Sequence, residues 1–587
     1  MHETALTEPI KALFIVSYAT LLFLAVFVLA AALRLADLSA LPLSPEEAES
    51  VLVAWDFWHE PDAGGGDPHL VSPAYFATAA PFLALFGSGD RLAFADALVR
   101  FGPALASLLL IVVLWLARHE LGILGSLTTA ALIAVSPTAA LAARTAGGDS
   151  WALLALVVVL LSALRFRLAG GLRWPAVAAV AFGFGLTTSP LFYTGVLALL
   201  LAVAAQRRFG PAFPGDDGRG LDWRRLALIA AASFVAVATF FLWRPAGLGG
   251  AATILGRWLA AFSLPADLAA VVNPLFVLGR YELGAVVLGA GALIWAIWRG
   301  FPLPQFFVYW YLATFVLMLV QPGTMANVLV LVLPAYLLIA QWLQHLFHER
   351  TGEAAGGVLL FVLLTGLVVY FNGIRFVRLM AGQQDIRSYV VLIALVIAFA
   401  AVTINLVRSW DARGAFQGTL LGLLLLFGFY SWGTAWWLTH EAANDPRAGL
   451  ATVVTDDDVR LLATMLSEIS YQGGFGPYDI PLLAAVDSPA LRWYLRHFND
   501  VRWGETVPPG TTTTAVITAA TGAQPPIDGY SGLNLGTLRT GTTREGLPTV
   551  SSAGETLRWW LFRESPVRIV QDEIILWVRQ DILPWNR

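Results

Sequence analysis

Two adjacent carboxylates, Glu46 and Glu47, follow Pro42-Leu43-Ser44-Pro45 and open a stretch with helical periodicity. A carboxylate can take the proton from an attacking hydroxyl, and burial raises its proton affinity and makes it a stronger base. Further along, Arg144 and Asp149 bracket Thr145-Ala146-Gly147-Gly148. A guanidinium fork suits a phosphate; the simpler roles are a snorkelling Arg144 and an Asp149 that caps the next helix. Arg100, just before Phe101-Gly102-Pro103, offers the same choice. His59 and His69 flank an acidic stretch that contains Asp67. These three have the donor types of a divalent-metal site, and nothing in their spacing specifies one.

Composition says what must hold such residues in place. Of 587 residues, 58% are hydrophobic and 13% charged, and the mean hydropathy is +0.70. A soluble domain is nearer half apolar and a quarter charged, so a soluble enzyme and a disordered scaffold are both excluded. The net charge of −4 offers no basic footprint for a nucleic acid. Without cysteine there is no disulfide, thiolate metal site or Cys nucleophile. The chain has no Gly-rich phosphate loop ending in Lys-Ser/Thr, no His-Glu-x-x-His and no Gly-x-Ser-x-Gly, so an ATP-driven pump and a serine hydrolase lack their signatures. Acids inside apolar stretches are sparse, Glu282 being the main one, which leaves a proton-coupled transporter little to relay through.

A hydrocarbon core of ~30 Å takes about 20 apolar residues in a helix. Thirteen stretches meet that measure, near 12–35, 96–117, 121–142, 150–168, 174–188, 190–206, 226–243, 275–298, 304–320, 325–346, 356–371, 389–407 and 415–439. The first follows Lys11 and is too long for a signal peptide's apolar core, so it reads as a retained span. Arginines in the short connections, with Arg207, Arg208, Arg219, Arg224 and Arg225 as the densest group, place the N-terminus in the cytoplasm. Arg375, Arg378 and Arg387 run against that trend. An odd number of spans puts everything after Thr439 outside, in a multi-pass protein of the cell membrane.

Two parts follow from this reading: a membrane domain over 1–439 with a large first outer loop at 36–95, and an extracytoplasmic domain over 440–587. In the loop, Val51, Leu52, Trp55 and Trp58 share one helical face, which fits a helix lying in the interface with its tryptophans at headgroup depth. Pro73 to Phe86 is too short to cross and reads as a second interfacial or re-entrant helix. In the tail, a helix is expected after Asp456-Asp457-Asp458 and another over 489–498, with strands over 480–486, 515–519 and 573–578. That alternation makes the tail a small α/β domain.

This order of segments resembles the GT-C glycosyltransferases, polytopic enzymes that include the protein O-mannosyltransferases and the lipid A aminoarabinose transferases. Leu41-Pro42-Leu43-Ser44-Pro45-Glu46-Glu47-Ala48 stands where the family has an Asp-Glu pair in its first outer loop. Asp67-Pro68, Ser72-Pro73-Ala74-Tyr75-Phe76 and Leu85-Phe86-Gly87 are similar to its approach to the second span. Ala97-Leu98-Val99-Arg100-Phe101-Gly102-Pro103-Ala104-Leu105 is similar to its entry into that span, and Ser136-Pro137 with Arg144 and Asp149 to its next outer loop. Leu491-Arg492-Trp493-Tyr494-Leu495-Arg496, Asn499-Asp500-Val501-Arg502 and Glu573-Ile574-Ile575-Leu576-Trp577-Val578-Arg579-Gln580-Asp581 are similar to a bacterial and archaeal branch labelled flippase-activity-associated.

The resemblance implies an α-helical polytopic membrane protein, GT-C-like with about thirteen transmembrane helices and a C-terminal extracytoplasmic α/β domain. It implies transfer of a sugar from a polyprenyl-phosphate donor to a glycan, lipid or protein acceptor on the outer face. In that scheme Glu46 is the base and Glu47 its partner or a metal ligand. Arg100 and Arg144 hold the lipid phosphate, and Asp67 and Asp149 orient polar groups; a divalent metal is left open. The chain departs from the family where Glu46 replaces an aspartate, Val71 a histidine, Gly147 a second basic residue, and Gln321-Pro322-Gly323-Thr324 a Glu-Lys motif. The alternative that these departures favour is a non-catalytic partner of a lipid-linked-sugar flippase or glycan assembly machine.

Overall fold

The computed structural model describes residues 17–582, apart from 60–70, 87–91, 172, 212–220, 263–267, 322–326, 349–350, most of 381–410, 449, 452, 521–528, 543–552 and 564–567. Lys11, Asp67, His69 and most of the expected span near 389–407 therefore lie outside the described residues.

The helices of the bundle and its connections begin with α1 (Tyr18–Leu35), α2 (Pro45–His59), α3 (Pro73–Phe86), α4 (Leu92–Leu116), α5 (Ile123–Val135), α6 (Pro137–Ala143) and α7 (Asp149–Ala169). They continue with α8 (Arg173–Gly185), α9 (Pro190–Phe209), α10 (Trp223–Ala238), α11 (Gly247–Ala260), α12 (Leu268–Tyr281) and α13 (Leu283–Arg299). The last four are α14 (Pro302–Val320), α15 (Asn327–Leu346), α16 (Ala355–Met380) and α17 (Ala412–Trp437). Among the described residues, seven helices are long and apolar enough to cross a bilayer, or nine if two bent pairs each count as one span. The bent pairs are α5 with α6, at 67°, and the second half of α12 with α13, at 94°. The stretches expected to span near 174–188 and 226–243 are the shorter α8 and α10, of 13 and 16 residues, which pack on each other. The apolar α15 is the bundle's central post, buried nearly all round.

Both bends are written in the chain. Pro137 has no N–H to donate and disfavours helical backbone at Ser136, so the helix breaks there. Ser136 is extended, and its hydroxyl accepts from the Ala139 amide to restart the helix as α6. The second bend falls at Glu282, between α12 and α13.

The tail carries α18 (Asp458–Gln472), α19 (Pro489–Leu495) and α20 (Ala553–Phe562) beside a six-stranded mixed sheet. The strands are β1 (Val453–Thr455), β2 (Leu482–Ala484), β3 (Val501–Trp503), β4 (Ala515–Ala519), β5 (Tyr530–Thr542) and β6 (Arg568–Arg579), in the order β1-β5-β6-β4-β2-β3. β2 runs parallel to β3 and β4, and the other pairings are antiparallel.

The tail and the first long connection share one core. Leu43, Ala48, Val51, Leu52 and Trp55 pack in the same cluster as Leu462, Leu466, Trp493, Tyr494, Ile517 and Leu576. This corrects the expectation for α2: its apolar face is covered by α19, with Trp55 edge-on to Trp493, instead of lying among lipid headgroups. Trp58 alone on that face stays partly exposed, edge-on to Trp243. The tail also reaches into the bundle, where Trp559 of α20 is buried against Tyr281 and Trp437.

Candidate functional site

The candidate site lies at the end of the bundle that carries the sheet. There the connection 36–47, the turn 144–149 that joins α6 to α7, and residues 187–190 come together.

Glu47 and Arg100 form the knot of this region. Arg100 Nε and Nη2 donate to the two Glu47 carboxylate oxygens at 3.0 and 2.8 Å. The remaining Arg100 N–H groups reach the carbonyls of Leu38, Leu41 and Pro42. Glu47 accepts two further bonds, from the amides of Ser44 and Ala146. Both side chains are buried. Burial alone would lift the Glu47 carboxyl, but the Arg100 charge and the four hydrogen bonds outweigh it and hold the group below its ordinary value of 4.5. Glu47 is thus a fixed anion, the opposite of a base strengthened by burial. Arg100, expected to hold a phosphate, gives all five of its N–H groups to protein acceptors.

Arg144 behaves similarly. It donates to the carbonyls of Leu33, Ala36 and Asp37, at the C-terminal end of α1. A cation there also meets the negative end of the α1 dipole. Burial lowers its pKa to about 10, which leaves it charged at neutral pH. The physical demand is the same for both arginines: irregular backbone over 36–42 leaves carbonyls without helical partners, and each must find a donor.

Glu46, by contrast, is exposed and outside this network. Consecutive helical residues point about 100° apart, so Glu47 turns into the knot while Glu46 faces out. Its carboxylate lies close enough to Asp149 for the two negative charges to interact. Asp149 is the first residue of α7, half-buried, and beside the Ser189 hydroxyl. The helix cap is Gly148, which makes no side-chain bond, so Asp149 acts in the first turn and is not the capping residue. Gly148 is needed for closeness: a Cβ there would overlap the Thr188 carbonyl and come within 2.9 Å of Ser72 Oγ. Ser72 in turn donates to the Thr187 carbonyl, tying α3 to the same turn.

A further cation lies against the neighbouring α3. Arg244 lies with its guanidinium 4.1 Å from the Phe76 ring centroid, one helical turn beyond Ser72 on α3. That guanidinium has no hydrogen-bond or ion-pair partner among the described residues. The chain reaches it through Phe240, Phe241 and Leu242, all left-handed with φ of 46°, 55° and 73°. Bulky residues avoid that region, so the turn is strained. It sends Phe240 inward against Phe57 and Phe76 and leaves Phe241, Leu242 and Trp243 exposed. The signal in the sequence is the arginine that directly follows Phe-Phe-Leu-Trp at the end of an apolar stretch, an aromatic belt with a cation behind it.

The tail is fastened to this region through Asp96, one turn before Arg100. Fully buried, it accepts from Arg460, Trp493 Nε1 and the Tyr494 hydroxyl. Arg460 also reaches the Leu41 carbonyl, and Tyr494 takes the Leu43 amide proton. For a metal, the described residues hold no group of three His, Asp or Glu side chains. His59 is stacked on Trp55 with Nδ1 on the Trp55 carbonyl.

No family model and no curated protein matches the chain. Among solved structures, ArnT from Cupriavidus metallidurans in the apo state aligns with a TM-score of 0.53 and 17% identity, over 83% of this chain and 86% of that one. The same protein bound to undecaprenyl phosphate aligns with a TM-score of 0.52 and 16% identity, over 82% and 85%. The oligosaccharyltransferase of Archaeoglobus fulgidus is a looser likeness, with a TM-score of 0.45, 13% identity and coverage of 86% and 70%. With its broken spans and sheet-bearing end, the chain has the fold of the GT-C membrane glycosyltransferases.

Proposed function

We propose that the chain transfers a sugar from a polyprenyl-phosphate carrier to an acceptor hydroxyl at the outer face of the cell membrane, with the sheet domain outside and the N-terminus in the cytoplasm. The observation that carries this reading is a pair of carboxylates from two segments, Glu46 and Asp149, close enough to interact, on the turn that Ser72 ties to α3, whose Phe76 carries the Arg244 guanidinium, a cation without an ion-pair partner among the described residues. The likeness in fold to a transferase solved with undecaprenyl phosphate supports a carrier of that class.

In this reading Glu46, exposed and outside the knot, takes the proton of the acceptor hydroxyl. The acceptor oxygen attacks the anomeric carbon, the carbon–oxygen bond to the phosphate breaks, and the carrier leaves as polyprenyl phosphate. Arg244 neutralises the leaving phosphate; Arg144 lends positive potential while it holds the end of α1. Asp149 orients the polar groups of the sugar, a part the resemblance also gives to Asp67. Glu47 and Arg100 act as Glu46's structural partners by fixing the turn that bears it. A divalent metal, if used, would rest on Glu46 and Asp149 together with groups of the substrate.

The non-catalytic reading draws on Val71, buried in the core where the family has a histidine. One experiment separates the two. Glu46→Gln in the full chain, reconstituted with polyprenyl-phosphate sugars, is expected to reduce transfer by at least about 100-fold with expression unchanged. Undiminished transfer removes Glu46 from its role, and no turnover by the unaltered chain with any such donor favours the non-catalytic partner.

A further inference from the structure

Two ionisable side chains sit fully buried inside the bundle, and neither has an ion-pair partner among the described residues: Arg34 on α1 and Glu282 at the α12–α13 bend. An ionisable group in a membrane interior is costly and marks a function. Arg34 donates to the Ser107 hydroxyl at 2.7 Å and to the carbonyls of Ile133 and Ala134 at 2.9 and 2.8 Å. Those carbonyls end α5, whose i→i+4 ladder is cut at Ser136-Pro137. Glu282 Oε1 accepts from the Ser136 hydroxyl at 2.7 Å, from the Thr138 amide at 3.1 Å and from the Thr138 hydroxyl. Its Oε2 accepts from the Tyr336 hydroxyl of α15.

The two groups therefore stand on opposite sides of one helix break. The guanidinium donates to the freed carbonyls, and the carboxyl accepts from the freed amide and hydroxyls, so each is matched to what the break exposes. Glu282 also lies at the second bend, so one carboxylate joins two broken spans to the central α15. The half-helix that it restarts, α6, ends at Arg144 and leads within six residues to Asp149.

We infer that Arg34 and Glu282 are positioning residues, a buried hydrogen-bond donor and acceptor that clamp the Ser136-Pro137 break and so set where α6 presents Arg144 and Asp149. The geometric claim stands apart from catalysis; its consequence for turnover rests on the transfer reading above.

The chain has no cysteine, so a spin-label pair at Thr145→Cys and Thr464→Cys, both exposed, reports the distance from this turn to α18 in the full-length protein in lipid nanodiscs. Glu282→Leu and Arg34→Met are each expected to broaden that distance distribution to about twice its native width. Glu282→Gln, which keeps the size and an accepting oxygen, is expected to restore it. For transfer, Glu282→Leu is expected to lower kcat about tenfold with the donor KM within about threefold, and Glu282→Gln to recover most of the loss. A native distribution in Glu282→Leu overturns the clamp. Should that chain not accumulate, Tyr336→Phe removes a single donor, and a native width there overturns it equally. Broadening in a protein that transfers no sugar would leave the clamp standing and remove the catalytic reading.

Discussion

Glu46 and Glu47 are neighbours with opposite fates, decided by one step of helical rotation. Glu47 is spent on holding the connection in shape, and that use makes a prediction at the scale of the side chain. Removing one member of a buried pair leaves the other charge uncompensated, so Glu47→Gln is expected to cost about 3–5 kcal/mol of stability. The folded Glu47 carboxyl titrates below its ordinary 4.5. The stabilisation it gives is therefore complete above about pH 4.5 and is lost as pH falls through the lower folded value. Thermal unfolding of the detergent-solubilised chain from pH 7 down to pH 3 should show this acid loss in the native protein and a flatter profile in Glu47→Gln. The sequence made the acidic pair visible. It could not say which member is satisfied, because that depends on Arg100 and Ala146, 53 and 99 residues away. Arg100 and Arg144 were visible as cations at span ends; that they serve backbone carbonyls depends on the path of 36–42, which no periodicity encodes.

At the scale of elements, the turn 144–149 depends on a backbone approach that only glycine allows. Gly148→Ala places a methyl on the Thr188 carbonyl. It is expected to cost about 1–3 kcal/mol and to push Asp149 away from Ser189, with most of the transfer activity lost. Comparing melting temperature and turnover in the same preparation checks both. Gly147→Ala, which meets nothing within 4 Å, is the matched control. The Ser136-Pro137 break was legible because proline forbids the continuing hydrogen bond. The cover of α2 was not: an amphipathic pattern tells which face is apolar but not whether lipid or protein lies against it. Here it is α19, fastened by Asp96. Asp96→Ala is expected to strip the Arg460, Trp493 and Tyr494 bonds together, cost about 3–5 kcal/mol and make the tail more quickly cleaved by protease in the folded state.

Across the whole molecule, long uniform signals are legible in the sequence and short or composite ones are not. Apolar runs gave the bundle, and α18, α19, β4 and β6 lie where helical or strand patterning put them. β1 and β3 are three residues each, and β5 contains Gly532, Gly536 and Gly541, so none carries a strand pattern of its own. They form because neighbours offer them edges: β6 pairs with β5, β5 in turn with β1, and β2 with β3. Arg244 does not stand out in the sequence for a similar reason: its setting comes from a strained turn and from Phe76, far away in the chain. In the proposed transfer, Arg244 and the Glu46–Asp149 pair together make a place for a lipid phosphate and its sugar. A structure of the full chain solved in lipid with undecaprenyl phosphate tests this most directly. Phosphate density is expected within hydrogen-bond reach of Arg244, on the side facing Glu46 and Asp149, and is expected to be lost in Arg244→Ala. Phosphate density elsewhere in the bundle, unchanged by Arg244→Ala, would contradict it.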